Sequence, residues 1–233
     1  MSNTGSPAPG ERWLPCNPPG LRSSRSCALG GPEPPSRRVA GRTRQPRHSQ
    51  QAGPVGHAAG PRRDFLEWRF AKAAYEDGAV PIPKGQTLSQ PYVAKMLEAA
   101  AIAKSDRVLE TGAGSGYLAA LAANLGREVC AEALVQRARS RLRHLGCRNV
   151  DLRHGDGSAG WPDGGEFDVI LVSAASAEIP AALAMQLAPS GRLIIPLGNP
   201  DGVQRLKKLV RAPDGRFVEE EIEDVRFVPL VSG

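Results

Sequence analysis

Residues 108–117 read VLETGAGSGY, and the order of residue types in this stretch decides the architecture. Val108 and Leu109 belong to an apolar run, predicted as a strand over 106–112. Gly112, Gly114 and Gly116 follow, without side chains, so the backbone can turn tightly and lie against a ligand. The helix predicted over 116–126 then presents its N-terminus to that ligand. The spacing is GxGxG rather than the GxGxxG of dinucleotide-binding folds, and Glu110, two residues before the first glycine, would repel a pyrophosphate. A carboxylate in that place suits a cation. S-adenosylmethionine carries an ammonium and a sulfonium, so it is the cofactor this loop implies.

Beyond the loop, apolar strand patterns alternate with helical ones. Strands are predicted over 127–131, 149–155, 167–175 and 192–198, and helices over 133–146 and 177–191, the first of these helices stopped by Gly146. Such alternation predicts an α/β fold, a doubly wound and mostly parallel sheet of the Rossmann-like kind. The last stretch, 203–231, shows period-two segments around a Pro-Asp-Gly turn, which predicts antiparallel strands closing the C-terminal edge. Ligands in such sheets lie at the carboxyl ends of the strands, which brings in three more positions. Glu132, about 20 residues past the first glycine, stands where a carboxylate can grip both ribose hydroxyls; it also reads as a solvated acid at a helix start. Asp156 can accept from an adenine amino group with Gly157 allowing close approach, or the Asp-Gly pair is an ordinary turn.

Upstream, residues 83–92 read PKGQTLSQPY, neither strand-periodic nor helix-periodic, and are predicted as a loop. A helix follows, with Val93, Met96, Leu97 and Ala100 as its apolar stripe and Pro91 in its first turn. Phe65, Leu66, Trp68, Phe70 and Tyr75 form a further helical patch ending at Gly78. Residues 1–60 are rich in Pro, Gly, Ser and Arg and carry too little apolar surface to offset ordering. They are expected to be a disordered tail ahead of one domain over 61–233.

The net charge of +6 invites a nucleic-acid reading, but its placement argues otherwise. Residues 1–60 hold eight Arg, no Lys and two acids, Glu11 and Glu33, so the whole excess falls there and the remainder balances at 22 basic and 22 acidic residues. No basic binding face is expected on the domain. Cys16, Cys27, Cys130 and Cys147 have neither zinc-ligand nor disulfide-framework spacing. No metal is expected, nor any membrane segment, since no apolar run approaches the roughly 20 residues of a span. A cytoplasmic, soluble protein is the expectation. His144 and His154 have no acid partner at fixed spacing, and the acidic run 219–224, EEEIED, reads as a solvated strand face.

Taken in order, Gly85-Gln86-Thr87-Leu88-Ser89-Gln90-Pro91, VLETGAGSGY, NVDLRHGDGSAGWP, FDVILVSAA, QLAPSGRLIIPLG and VRFVPLV resemble the protein-L-isoaspartate (D-aspartate) O-methyltransferase family from about residue 61 to the end. The resemblance implies methyl transfer from S-adenosylmethionine to the free carboxylate of isoaspartyl residues in damaged proteins, by a monomer. It implies that Ser89 lies beside that carboxylate, with Thr87 as a second hydroxyl, and that the 83–92 loop is a lid and substrate shelf. Read by spacing alone, the two hydroxyls equally form a turn or helix cap before Pro91. The chain departs from the family after its second strand, where about four residues are absent. Either the ribose carboxylate is missing, leaving a weakened or silent protein, or Glu132 replaces it at the end of a shortened strand. A methyltransferase for another carboxylate acceptor is the remaining alternative.

Overall fold

The computed structural model describes residues 62–76, 78–83, 85–132, 136–199 and 201–230; the predicted tail lies outside them. Seven strands form one sheet: β3 (Arg107–Thr111), β4 (Glu128–Glu132), β5 (Val150–Arg153), β6 (Phe167–Val172), β7 (Leu187–Leu197), β8 (Gln204–Arg211) and β9 (Phe217–Val225). Their order is β5-β4-β3-β6-β7-β8-β9. The first four junctions are parallel and the last two antiparallel, as the alternating pattern predicted. After β3 the chain winds outward through β4 and β5, then returns to the other side of β3 for β6 and β7. This reversal leaves a crevice at the carboxyl ends of β3 and β6, the usual ligand position in open sheets.

Period-two alternation divides the core between the two faces. Val108, Val129, Ala131, Val169, Leu171 and Ile194 point to one side, which is covered by α1 (Gln90–Ala100), α2 (Tyr117–Leu125) and α3 (Gln136–His144). Leu109, Cys130, Ile170, Val172, Leu193 and Ile195 point to the other, against Trp161 and Leu183 of the short α4 (Ala181–Met185). α2 is Ala-rich and buried along most of its length, so it lies close to the sheet and carries the glycine loop with it.

Three expectations need correction. The helix predicted over 177–191 is only the five residues of α4, because Leu187 pairs with Phe167 and starts β7. The Pro-Ser-Gly sequence that read as a helix end is an irregularity inside that strand, with Ser190 at φ +64°. The patch at 65–78 is a pair of 3₁₀ segments, Arg62–Phe65 and Trp68–Tyr75. Phe65 and Leu66 are buried, whereas Trp68 is 89% exposed and Tyr75 64%, so the aromatic residues do not form one packed face. The third concerns 83–92: Thr87–Ser89 is a strand, β2, paired antiparallel with β1 (Ala79–Pro81) around Gly85 at φ +71°. Leu88 is buried between the exposed Thr87 and the half-buried Ser89, which anchors this ribbon by about 1.5–3 kcal/mol of apolar burial.

Candidate active site

The ribbon and the glycine loop line one cavity. Thr87, Ser89, Glu110, Gly112 and Gly114 all face it, together with Gln86, Tyr92, Ser173, Arg226 and Phe227. Direct packing holds the two elements together: a Cβ added at Gly114, where φ is +51°, would lie 3.0 Å from Ile82 Cδ1 and 3.1 Å from Gln86 Oε1. Glycine takes that backbone angle and that approach without strain, whereas a side chain would press on both neighbours. Ser89 occupies the N-cap position of α1, yet its hydroxyl makes no capping bond. The hydroxyl therefore does not act as that cap, and Ser89, half-buried, is one of the residues lining the cavity.

Glu110 is 1% exposed at the end of β3. Its Oε1 accepts from Ser173 Oγ at 3.4 Å, and its Oε2 is buried without a partner. Burial pushes this carboxyl up to about 8, opposed by the Ser173 hydroxyl and assisted by the nearby Glu132. Glu132 ends β4 and is itself buried. Its Oε2 accepts from the Gly112 N–H at 3.1 Å, while its Oε1 has no partner. Burial also raises the Glu132 carboxyl, against the main-chain N–H groups of Gly112 and Gly155. The second strand therefore ends with a carboxylate turned onto the first glycine.

Gly157 lies behind Glu132, where a Cβ would come within 2.8 Å of Glu132 Oε2; a bare Cα leaves that carboxylate its position. Asp156 uses Oδ1 on Ser158, accepting from the main-chain N–H at 2.8 Å and from Oγ at 2.6 Å. The turn reading thus describes at least one of its oxygens. Glu132, Asp156 and Gly157 stand beside the cavity rather than among the residues lining it, and Gly116 does not line it either: a Cβ at Gly116 would face Ala138 and Leu142 of α3, so it serves helix packing.

Four buried side-chain oxygens around the loop lack partners: Glu110 Oε2, Glu132 Oε1, Thr111 Oγ1 and Gln86 Oε1. Unsatisfied buried acceptors are costly. Glu110 Oε2 and Gln86 Oε1 belong to residues that line the cavity, where a ligand's ammonium supplies the missing donors, so the residues present fit S-adenosylmethionine.

The far wall was not anticipated from sequence. After β9 the chain returns across the strand ends, held by Ala175 N to Val228 O at 2.8 Å and Leu230 N to Ala175 O at 2.7 Å. Phe227 stacks on Tyr92 with ring centroids 5.4 Å apart, and Arg226 is exposed at the mouth. Nothing in their spacing marks these residues, because only the fold brings 226–228 opposite 87–89. The acidic run 219–224, read as solvated, faces basic partners on β8: Lys207 with Glu219 at 3.1 Å, Lys208 with Glu220 at 3.8 Å and Arg205 with Asp224 at 3.0 Å.

Comparison with known proteins agrees with this geometry. A family model described as protein-L-isoaspartate(D-aspartate) O-methyltransferase matches residues 55–233. A protein-L-isoaspartate O-methyltransferase of Methylorubrum extorquens (strain PA1) is 52% identical over 178 residues, covering 74% of this chain and 77% of its own length. One of Shewanella amazonensis (strain SB2B) is 48% identical, covering 74% and 83%. Among solved structures, a protein-L-isoaspartate O-methyltransferase superposes with a TM-score of 0.66 at 29% identity, over 75% of this chain and 59% of that one. A Plasmodium falciparum chain assigned to the same activity, in complex with S-adenosyl-L-homocysteine, gives 0.62 at 24% identity over 74% and 86%, which supports the fold. The chain belongs to the protein-L-isoaspartate(D-aspartate) O-methyltransferase family.

Proposed function

We infer that this chain methylates the free carboxylate of L-isoaspartyl and D-aspartyl residues in damaged proteins, with S-adenosylmethionine as donor. The observation that carries the reading is the single cavity shared by the Thr87–Ser89 ribbon and the Glu110–Gly114 loop. Bound S-adenosylmethionine supplies a methyl group on a sulfonium, which departs as a neutral thioether. The acceptor carboxylate is ionised at neutral pH, its reference pKa being near 4, so no general base is needed. The side chains lining the cavity include neither His nor Cys, in keeping with that chemistry.

Each residue has a distinct task in this reading. Glu110 receives the donor's ammonium, and Glu132 the ribose hydroxyls, with Gly157 leaving room beside it. Asp156 stands at the adenine end. Ser89 and Thr87 donate hydroxyl hydrogens to the acceptor carboxylate, orienting one oxygen without neutralising it as a buried cation would. The stacked Tyr92–Phe227 pair closes the wall above α1, limiting the water that shields the anion, and Arg226 attracts the acidic peptide to the mouth. The methyl ester then closes to a succinimide as the following main-chain nitrogen attacks it and methanol leaves. The protein acts as a monomer in a cytoplasm, the compartment being supported by the buried Cys130 thiol. Its partners are proteins carrying isoaspartyl residues, not nucleic acids or membranes.

The test is transfer of labelled methyl to an isoaspartyl peptide beside its normal aspartyl twin. Labelling of the isoaspartyl peptide alone is expected, with calorimetric binding of S-adenosylhomocysteine in the micromolar range or tighter. Equal labelling of both peptides, or of neither, rejects the reading.

A further inference from the structure

Arg62 is a long charged side chain, 2% exposed, in the 3₁₀ segment Arg62–Phe65 at the start of the described chain. Its guanidinium donates to five oxygens. Nη1 reaches Ala74 O at 2.8 Å, Gln90 Oε1 at 3.4 Å and Glu76 O at 3.5 Å; Nη2 reaches Leu88 O at 2.8 Å and Gly78 O at 3.1 Å. Burial lowers its pKa, the main cause, while Tyr117 acts in the opposite sense. Burying a cation costs several kcal/mol unless its donors are met; here the two Nη groups share the five oxygens while Nε is buried without a partner, and the planar fork of arginine spreads over this many acceptors where a lysine ammonium cannot.

Three of the five acceptors bear on the ribbon, while Ala74 and Glu76 belong to the second 3₁₀ segment and its end. Gly78 precedes β1, Leu88 lies in β2 between the two hydroxyl residues, and Gln90 opens α1. Three residues on, Phe65 packs edge-to-face on Tyr117, with centroids 5.2 Å apart. Tyr117 is the first residue of α2 and lines the cavity. One short turn therefore grips the acceptor side of the cavity through Arg62 and the glycine-loop side through Phe65.

We propose that Arg62 is a positioning residue for methyl transfer, its guanidinium holding the Thr87–Ser89 strand at the distance from the glycine loop that the acceptor requires. The proposal rests on the reading above that the ribbon is the acceptor's shelf. Arg62 touches neither donor nor acceptor, so its loss should act on peptide turnover and spare the cofactor. In Arg62→Lys, kcat/KM for an isoaspartyl peptide should fall about 10- to 100-fold, the range in which small misplacements act, while the Kd of S-adenosylhomocysteine changes less than about threefold. Hydrogen exchange should quicken at 86–90 and stay unchanged at 107–111. A kcat/KM within twofold of the parent overturns the proposal. So does an equal loss of peptide turnover and cofactor affinity with faster exchange in both segments, which marks a general structural role.

The unmodified chain gives a second measurement if the variant does not fold. Residues 62–66 and 86–90 should exchange at rates within about threefold of each other, as one cooperative unit; exchange tens of times faster in 86–90 overturns the proposal. Absence of any methylation by the parent chain would instead count against the activity, and the exchange rates would still decide the role of Arg62.

Discussion

Glu110 pairs complete burial with a carboxyl raised to about 8, and the sign of its linkage follows. Its folded pKa lies above the ordinary value of 4.5, so the folded protein holds a proton that the unfolded chain releases between those two values. Below pH 4.5 the group is neutral in both states and costs nothing; from there to about 8, rising pH weakens the ligand-free fold. A cationic ligand reverses this by stabilising the ionised form, so binding near pH 7 should expel a proton. Glu132, also raised by burial, contributes in the same direction. Affinity for S-adenosylhomocysteine is thus predicted to rise between pH 6 and 8, by at most about tenfold per pH unit for each proton released. Calorimetry in buffers of different ionisation heat should detect that release. Glu110→Gln should weaken binding about 10- to 100-fold, the loss of a charged hydrogen bond, and flatten the pH dependence; a parent Kd independent of pH would contradict the assignment. Glu110, Gly112 and Gly114 were legible in the sequence because strand, acid and glycines are contiguous there. Arg62 and Arg226 were not, since an isolated arginine shows neither burial nor what the fold sets opposite it.

At the scale of elements, alternation fixed the parallel strands and their order of use, but it misjudged three short segments. Thr87–Ser89 is too brief to display a period, and its pairing with Ala79–Pro81 depends on the turn at Gly85. Ala181–Met185 stops early because burial of Leu187 against the other face favours the strand over a longer helix. The aromatic cluster at 65–75 reads as an amphipathic helix until 3₁₀ geometry, with three residues per turn, turns Trp68 and Tyr75 outward. The contact between ribbon and glycine loop has its own test. Gly114→Ala forces a side chain into the left-handed region and against Ile82 and Gln86, at a cost of about 1–3 kcal/mol. Denaturant unfolding should show that loss, and both peptide KM and cofactor Kd should worsen, because the residue belongs to both walls. Unchanged values for either ligand would mean the two elements are independent.

For the molecule as a whole, the charge pattern separates the ends of the chain. The excess of +6 lies in residues 1–60, while on β8 and β9 the basic side chains face acidic ones. Removing residues 1–60 should therefore shift Tm by less than about 2 °C, whereas removing 1–66, which takes Arg62, Phe65 and Leu66, should lower it by about 10 °C or more. A large drop on the shorter truncation would place part of the core in the tail. None of this bears as directly on the central claim, one cavity with donor and acceptor on facing walls, as a crystal structure with S-adenosylhomocysteine and an isoaspartyl peptide bound together. The account predicts the ligand's ammonium on Glu110 and the peptide's free carboxylate within hydrogen-bond distance of the Ser89 hydroxyl. A peptide seated away from the Thr87–Ser89 strand, or a cofactor held without Glu110, would contradict it.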